Sequence, residues 1–253
     1  MKKIKIVLLA LVICFSLCIP AFALDKRSHA VYDEDASPDS YHIVDDDSEW
    51  YDEARDFMID ELLMGRMYTD HYFNGSSYYF GGTYLTFAGE RNISRSEVAV
   101  IFNRYNGSYD TLSESIYKDA VCEAFVDVPD GQWFTPAAKW AHEICIVNGV
   151  GGAYFAPDRT ITREEFAAML YRYTNYLEVD TSARADFSAF ADGDSVSSWA
   201  TDAMSWAVAE GLISGKPGDL LAPKDTITRA EVAVIVYRYN NEVKAHRDIL
   251  DGN

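Results

Sequence analysis

One arginine recurs at the same place in three related segments of this 253-residue chain. The three arginines are Arg95, Arg163 and Arg229. Each directly follows a Ser or Thr, and a Glu lies two residues after it. The Ser/Thr-x-x-Glu spacing is typical of a capping box, which puts the arginine at the first helical position. A cation there is unfavourable by roughly a few tenths of a kcal/mol, because the helix dipole already places positive charge at that end. The recurrence therefore indicates a role other than helix formation.

Two roles fit these arginines. A guanidinium group binds anions bidentately, and a helix N-terminus offers backbone N–H groups to the same anion. The alternative is an internal salt bridge to a neighbouring copy of the segment, with Asp127 or Asp192 as the partner. The sequence favours the anion site and leaves the salt bridge open.

A tryptophan follows an acidic turn at the start of each copy. These tryptophans are Trp50, Trp133 and Trp199. An aromatic residue follows each of them after seven positions, a spacing that predicts one shared helix face. Core packing is the favoured interpretation, and stacking of the indole ring on a sugar is the alternative.

Catalytic chemistry has little support in the sequence. There is no Gly-x-Ser-x-Gly, no His-Glu-x-x-His and no phosphate-binding loop. The acidic turns at 45–47 and 192–194 lack the full spacing of a calcium loop, so we predict no metal site and no cofactor. Carboxylates are numerous, but no pair stands out as the acid and base of a glycosidase. We expect a protein that is not an enzyme.

The first residues predict export. Lysines at 2, 3 and 5, an apolar run and the Ala-x-Ala site at 21–23 are typical of a signal peptide covering 1–23. A polar segment, 24–40, is predicted to be a flexible lead-in. No second apolar run is long enough to span a membrane. The net charge of −18 opposes nucleic-acid binding, and it requires any site for an anionic ligand to be a local cationic spot.

The elements around the arginines form a repeated helix-loop-helix unit. The first helix of the second copy is predicted to start at Thr135-Pro136, with Thr135 as the N-cap. First helices are expected to end at glycines, namely Gly149 in copy two and Gly211 and Gly215 in copy three. The second helix begins at the capping box and carries one apolar face that ends in Arg-Tyr.

The first copy differs from the others by an insertion, 67–87, rich in Tyr, Phe, Gly and Ser. Two aromatic runs flank Gly81-Gly82, a pattern that predicts a β-hairpin with a two-residue turn there. Two cysteines remain after the signal peptide, Cys122 and Cys145. Export permits a disulfide between them, and a buried free thiol is the alternative.

Together these residues resemble the S-layer homology module: Phe-x-Asp-Val before Trp, a helix ending near Gly, Phe-x-Pro, then Ile-Thr-Arg-x-Glu. The resemblance places repeats at 41–107, 120–176 and 187–241, the first of them degenerate, with Arg66 at the glycine position and Gly89 in place of Pro. It implies a mainly α fold. Three helix-loop-helix repeats would form a pseudo-threefold prism with a central three-helix bundle and a small β-hairpin insertion in the first repeat.

The resemblance also implies a ligand: a secondary cell-wall polysaccharide, often pyruvylated, held in grooves between repeats. By position, Arg163 and Arg229 would be the main contacts, with Arg95 a further candidate. The remaining groove residues implied by the family are the opening acids, the tryptophans and the glycines, namely Asp127, Asp192, Trp133, Trp199, Gly149 and Gly215.

The function implied is non-catalytic anchoring at the cell wall or S-layer surface of a Gram-positive-type bacterium. No membrane span and no nucleic acid are expected, and other cell-surface proteins are possible partners. The alternatives are a secreted wall-active hydrolase and a lattice or assembly component that acts through protein–protein contacts.

Overall fold

The computed structural model of the chain describes residues 41–43, 50–60, 64, 67–73, 78–107 and 119–244. The predicted signal peptide, the predicted lead-in segment and Arg66 lie outside these ranges. Within the described residues no helix is long and apolar enough to cross a membrane.

Helices dominate the described residues, as the repeat pattern predicts. In chain order they are α1 (Asp52–Asp60), α2 (Arg95–Tyr105), α3 (Thr135–Glu143), α4 (Arg163–Tyr176), α5 (Thr201–Ala209) and α6 (Arg229–Arg238). A 3-10 turn covers Gly193–Ser195, and a π-helical segment, Tyr239–Lys244, continues α6. Each copy therefore contributes one first helix (α1, α3 or α5) and one second helix (α2, α4 or α6).

Three strands form a compact unit of their own: β1 (Tyr41–Ile43), β2 (Met67–Phe73) and β3 (Tyr78–Thr86). Their order in the sheet is β1-β3-β2, with β1 parallel and β2 antiparallel to β3. The turn predicted at Gly81-Gly82 is wrong, because both glycines lie inside β3. In the antiparallel pairing of β2 with β3, Phe73 instead lies opposite Tyr78.

The three second helices start at the predicted capping boxes. The hydroxyl oxygens of Ser94, Thr162 and Thr228 accept from the backbone N–H of the Glu three residues on, at 3.2 to 3.3 Å. The same Glu carboxylates accept from the cap backbone N–H at 2.9 to 3.0 Å. Each box satisfies two N–H groups that a helix start otherwise leaves unpaired, and this fixes where each arginine lies.

The start of α3 differs from the prediction by one residue. Thr135 is the first helical residue rather than the N-cap, and Phe134 takes the cap position without a side-chain hydrogen bond. The Thr135 hydroxyl instead accepts from Gln132 N–H at 3.0 Å and donates to the Pro129 carbonyl at 2.7 Å. It therefore ties the acidic turn to the helix, and Pro136 follows within the first turn.

The ends of the first helices also differ from the prediction. Gly211 lies in the left-handed region just after α5, as expected of a helix-terminating glycine. In copy two, α3 ends at Glu143, and the residue equivalent to Gly211 is Cys145, with φ of 61°. Gly149 and Gly215 lie four residues farther on, so their predicted role as helix ends is wrong.

The cysteines are both free thiols. The disulfide alternative is therefore wrong; Cys122 is buried, as the free-thiol alternative expects, whereas Cys145 is exposed. Burial raises the pKa of the Cys122 thiol, which keeps it protonated and unreactive at neutral pH.

Helix packing links the copies in a cycle. The first helix of each copy packs on the second helix of the copy before it, since α3 contacts α2 and α5 contacts α4. The cycle closes because α1 contacts α6, where the rings of Phe57 and Tyr237 lie 5.5 Å apart. Copy one is thus packed against copies two and three.

The second helices meet through aromatic residues of the repeated Arg-Tyr motif. The rings of Tyr105, Tyr173 and Tyr239 contact one another pairwise, with centroids 6.0 to 6.5 Å apart. Near the other end of these helices, the isoleucine that precedes each capping box is fully buried; these are Ile93, Ile161 and Ile227. Each such side chain contributes about 1.5–3 kcal/mol through burial. The core therefore runs along the second helices and holds their N-terminal arginines in place.

Candidate functional site

The three repeated arginines are buried rather than exposed. Their exposed fractions are 5% for Arg95, 4% for Arg163 and 3% for Arg229. Each reaches the capping-box Glu of another copy: Nη1 of Arg95, Arg163 and Arg229 lies 3.9, 2.9 and 3.5 Å from Glu165, Glu231 and Glu97. These arginines therefore do not lie at the helix surface. The salt bridge left open by the sequence is present, but its partner is a Glu rather than Asp127 or Asp192.

Backbone groups at the start of each second helix are also occupied. The N–H groups of Arg163 and Glu164 donate to the carbonyls of Asp225 and Pro223 at 2.9 and 3.1 Å. The starts of the other two second helices are bonded to neighbouring loops in the same way. The N–H groups of Arg95 and Ser96 donate to the carbonyls of Arg159 and Pro157, and those of Arg229 and Ala230 donate to the carbonyls of Arg91 and Gly89. These N–H groups are therefore not available to an anion. Any anion must be recognised by side chains instead.

Arg163 donates to three acceptors. Its Nε donates to the Leu221 carbonyl at 3.1 Å, Nη1 to Glu231 at 2.9 Å and Nη2 to the Ser214 carbonyl at 2.9 Å. Arg95 makes the equivalent Nε bond to the Phe155 carbonyl at 2.7 Å and lies over the Phe155 ring. These bonds orient each guanidinium between the helix start of one copy and the loop of the next.

Burial and charge set the ionisation of these pairs. Burial lowers the pKa of both Arg95 and Arg163. The nearby carboxylates of Glu165 and Glu231 oppose this effect, and both arginines remain charged at neutral pH. Burial alone raises the pKa of Glu165, but its bond to Arg159, its bond from Thr162 N–H and the nearby cations together hold it below its usual value. At the boundary between copies one and two, the buried guanidinium of Arg95 thus lies near a carboxylate, Glu165, that stays ionised at neutral pH.

Asp127 and Asp192 each stabilise the loop that precedes the second helix of their own copy. The two carboxylate oxygens of Asp127 accept from Phe155 N–H and Ala156 N–H, both at 2.7 Å. Those of Asp192 accept from Leu221 and Ala222 in the same way, at 2.7 and 2.8 Å. In both loops the alanine has φ between 52° and 57°, a left-handed conformation that costs an L-residue about 1–2 kcal/mol. The carboxylates offset that cost, so their contacts position the loop.

The tryptophans are exposed, so the favoured core-packing interpretation is wrong. The exposed fractions are 62% for Trp50, 39% for Trp133 and 55% for Trp199. Each lies in the turn before its helix rather than on the helix, so it does not share a face with the aromatic seven residues on. Trp206, in contrast, is fully buried. The exposed indole rings are available for stacking on a ligand.

Gly149 and Gly215 are required by packing. A Cβ on Gly149 would lie 2.7 Å from the Tyr154 carbonyl oxygen and 3.1 Å from the Phe125 ring. A Cβ on Gly215 would lie 2.9 Å from the Phe190 ring. In both copies the opening Phe of the repeat therefore presses directly on the glycine backbone, and this holds the turn close to the neighbouring arginine.

One groove brings several of these residues together in a cavity of about 190 Å³. Arg163 comes from copy two and Gly215 from the turn of copy three, and both were predicted site residues. Trp50 comes from copy one, and Arg238 from the end of α6. Trp50 was not selected from the sequence, although its recurrence with Trp133 and Trp199 was the signal that could have found it.

The other predicted residues lie at equivalent places around the cycle. Arg95 lies beside the copy two loop, near Glu165, and Arg229 beside the copy one loop, near Glu97. Among the described residues, no group of three or more His, Cys, Asp or Glu side chains could hold a metal ion.

Comparison with known proteins follows the same repeat boundaries. The sequence model of the S-layer homology domain matches residues 124–167 and 189–233, within copies two and three. A cellulosome-anchoring protein of Acetivibrio thermocellus is 32% identical over 155 residues, which is 60% of this chain and 33% of that protein. A surface-layer 125 kDa protein of Lysinibacillus sphaericus is 32% identical over 158 residues, 61% of this chain and 12% of that protein.

Enzymes are also among the relatives of this chain. An exoglucanase of Acetivibrio thermocellus, XynX, is 35% identical over 127 residues, 49% of this chain but 11% of the enzyme. The chain thus spans a third or less of the length of each of these three relatives.

Proposed function

We propose that this chain, which carries S-layer homology domains, is a non-catalytic module that binds cell-wall polysaccharide and anchors itself at the bacterial cell surface. The three repeats at 41–107, 120–176 and 187–241 would form a pseudo-threefold prism, with one polysaccharide-binding groove at each boundary between copies. Its relatives include a cellulosome-anchoring protein and a surface-layer protein, which supports a place at the cell surface.

The observation that carries this proposal is the groove around Arg163. It combines a buried guanidinium, an exposed indole ring and a turn whose backbone is held close by Gly215. Cations inside an acidic protein favour an anionic sugar over a neutral one, and the indole ring offers a stacking surface to the sugar itself. A pyruvate ketal on the polysaccharide would supply the required carboxylate.

The chemistry of recognition follows from the hydrogen bonds of Arg163. Three of its five N–H groups donate to Leu221, Glu231 and Ser214. Within the described part of the chain, one N–H on each Nη therefore remains for a ligand carboxylate. The ligand would add to the ion pair with Glu231 rather than replace it, so the guanidinium stays in the orientation that the fold imposes.

Anchoring without catalysis is the better proposal than hydrolysis. The enzyme relatives match this chain over a small share of their length, 11% for the exoglucanase and 17% for an endoglucanase of Bacillus sp.. The acids predicted at the grooves, Asp127 and Asp192, bind backbone N–H groups of their own loops with both oxygens. They are not placed as a free acid and base.

Co-sedimentation with purified wall sacculi tests the proposal. The chain from residue 24 onward should sediment with sacculi that retain their secondary polysaccharide, and it should stay in solution when that polymer has been removed chemically. Equal sedimentation with intact and stripped sacculi would contradict binding to the polymer. Release of reducing sugar from the sacculi would contradict the absence of catalysis.

A further inference from the structure

We propose that Lys216 recognises the acidic substituent of the ligand in the Arg163 groove and selects for it. This inference rests on the proposed function and adds a second, more adaptable cation to it. Lys216 follows Gly215 directly and lines the same cavity as Arg163, Trp50 and Arg238.

The backbone of Lys216 is fixed although its side chain is not. Its N–H donates to the Leu220 carbonyl at 2.7 Å, and Leu220 N–H donates back at 3.3 Å. This bridge closes a tight turn over Pro217 and Gly218, where Gly218 has φ of 88°. The start of the lysine side chain is therefore held at the mouth of the groove.

The ammonium group of Lys216 is loosely held. Its Nζ lies 3.4 Å from Asp225 Oδ2 and 3.4 Å from Glu231 Oε1. Both distances exceed the roughly 2.7–2.9 Å of a good charge-assisted hydrogen bond. An ammonium shared between two such acceptors can turn toward a third carboxylate without breaking a short ion pair, and its side chain is 30% exposed.

Copies one and two carry their second cation at a different position from copy three. Four residues before the repeated arginine they carry Arg91 and Arg159, where copy three carries Asp225. Arg159 donates two hydrogen bonds to the Glu165 carboxylate, at 2.5 and 3.2 Å, and Arg91 donates one to Glu97. At the position of Lys216 these copies carry Met67 and Val150. In copy three the second cation has therefore moved from the helix-start loop to the turn that lines the groove.

This difference has a consequence for ligand selection. A ligand carboxylate that approaches Arg163 also approaches Glu231 and Asp225, which repel it. Lys216 lies beside both acids and can offset that repulsion. The cavity, about 190 Å³, is smaller than the roughly 300–1,000 Å³ of pockets that enclose drug-sized ligands. It therefore suits one acidic substituent with part of a sugar ring, while the rest of the polymer stays outside.

Calorimetry on the chain from residue 24 onward tests the role of Lys216. The probes are a methyl N-acetylhexosaminide carrying a pyruvate ketal and the same glycoside without the ketal. Lys216→Met introduces the residue of copy one, and Lys216→Arg keeps the charge. Lys139→Met is the matched control, because Lys139 is an exposed lysine 4.0 Å from Glu143 on α3, outside the cavity lining.

We expect Lys216→Met to weaken binding of the pyruvylated glycoside tenfold or more and to leave binding of the neutral glycoside unchanged. Lys216→Arg should keep most of the preference for the acidic sugar, and Lys139→Met should match the wild type. The role of Lys216 is overturned if Lys216→Met keeps the wild-type preference, or if Lys139→Met loses as much. If the unaltered chain binds neither the glycosides nor the sacculi, the proposed function fails together with this inference. If it binds sacculi but shows no preference for the acidic glycoside, this inference alone fails.

Discussion

Arg163 and Glu231 form an ion pair across the boundary between copies two and three, with Nη1 and Oε1 2.9 Å apart and side chains only 5% and 15% exposed. The pair joins the start of one second helix to the capping box of the next. Equivalent pairs follow at the other two boundaries, so the three links close a cycle. The arginine that offers a cation to the ligand is therefore also part of the contact that holds the copies together.

Replacing Arg163 by Ala should destabilise the fold. The change leaves Glu231 partly buried without its closest cation, with only Lys216 Nζ at 3.4 Å, and removes the bonds to the Leu221 and Ser214 carbonyls. Breaking a buried pair in this way costs about 3–5 kcal/mol. Urea unfolding should show the loss, whereas Arg159→Ala, at an arginine 42% exposed, should cost roughly 0–1 kcal/mol. An Arg163→Ala protein as stable as the wild type would contradict the structural role.

Much of this could be predicted from the sequence because the repeat shows which positions face the same demand. The capping boxes and the order of the helices follow from it, whereas the grouping of Arg163 with Gly215 was implied by the resemblance to the S-layer homology module. The burial of the arginines did not follow, because a helix-dipole argument treats one helix at a time and the partner Glu belongs to another copy. The exposure of the tryptophans was missed because helical spacing was applied to residues that precede the helix.

Cys145→Gly should stabilise the protein. Cys145 has φ of 61°, and copy three carries Gly211 at the equivalent position with φ of 67°. Glycine adopts this conformation without the clash that a Cβ introduces, which is worth about 1 kcal/mol. The reciprocal change, Gly211→Ala, should lower stability by a similar amount. Thermal unfolding of both variants checks the pair, and equal stability of Cys145→Gly and wild type would show that the left-handed cysteine is not strained.

Stability should fall in acid through Glu165 and Glu97. Their hydrogen bonds to Arg159 and Arg91 and to backbone N–H groups outweigh burial and hold both pKa values below the usual Glu value in the folded state. The unfolded state therefore binds protons first, at a pKa of about 4.3. The resulting stabilisation is complete above that pH and is lost as the pH falls through the lower folded values.

Melting temperatures measured from pH 7 down to pH 3 should show this loss, and Glu165→Gln should flatten the acid side of the curve. Glu143→Gln is the control, because the Glu143 side chain is 58% exposed and its carboxylate makes a long contact with Lys139, at 4.0 Å. A Glu165→Gln curve that runs parallel to the wild type would contradict the assignment.

Trp50→Ala should weaken wall binding without unfolding the protein. The ring is 62% exposed and lines the Arg163 groove, so its loss removes a stacking surface rather than core. Base–aromatic stacking is typically worth about 1–3 kcal/mol per base, and we expect a sugar ring on the indole to contribute on the same order. Trp206→Ala gives the opposite result, because Trp206 is fully buried and its truncation costs about 3–5 kcal/mol of stability. Sacculus binding and thermal unfolding, measured on both variants, separate the two effects.

The groove of Arg229, rather than that of Arg95, should contribute least to wall affinity. Copy one carries the degenerate loop, with Arg66 at the glycine position and Gly89 in place of Pro. However, the cyclic contacts pair Arg95 with the loop of copy two, through Arg159 and Glu165. The partner of copy one is Arg229: its Nη1 lies 3.5 Å from Glu97, and Ala230 N–H donates to the Gly89 carbonyl.

Arg229→Gln should therefore reduce sacculus affinity less than Arg163→Gln does, because the loop that faces Arg229 is the degenerate one. Glutamine keeps a donor to the neighbouring carbonyls while it removes the charge, and binding is compared well below the melting temperature of each variant so that unfolding does not contribute. Arg95→Gln should lie between the two, since its groove has the regular glycine but carries Val150 where copy three carries Lys216. An Arg229→Gln protein with the largest loss of affinity would show that the copy one boundary is the principal site.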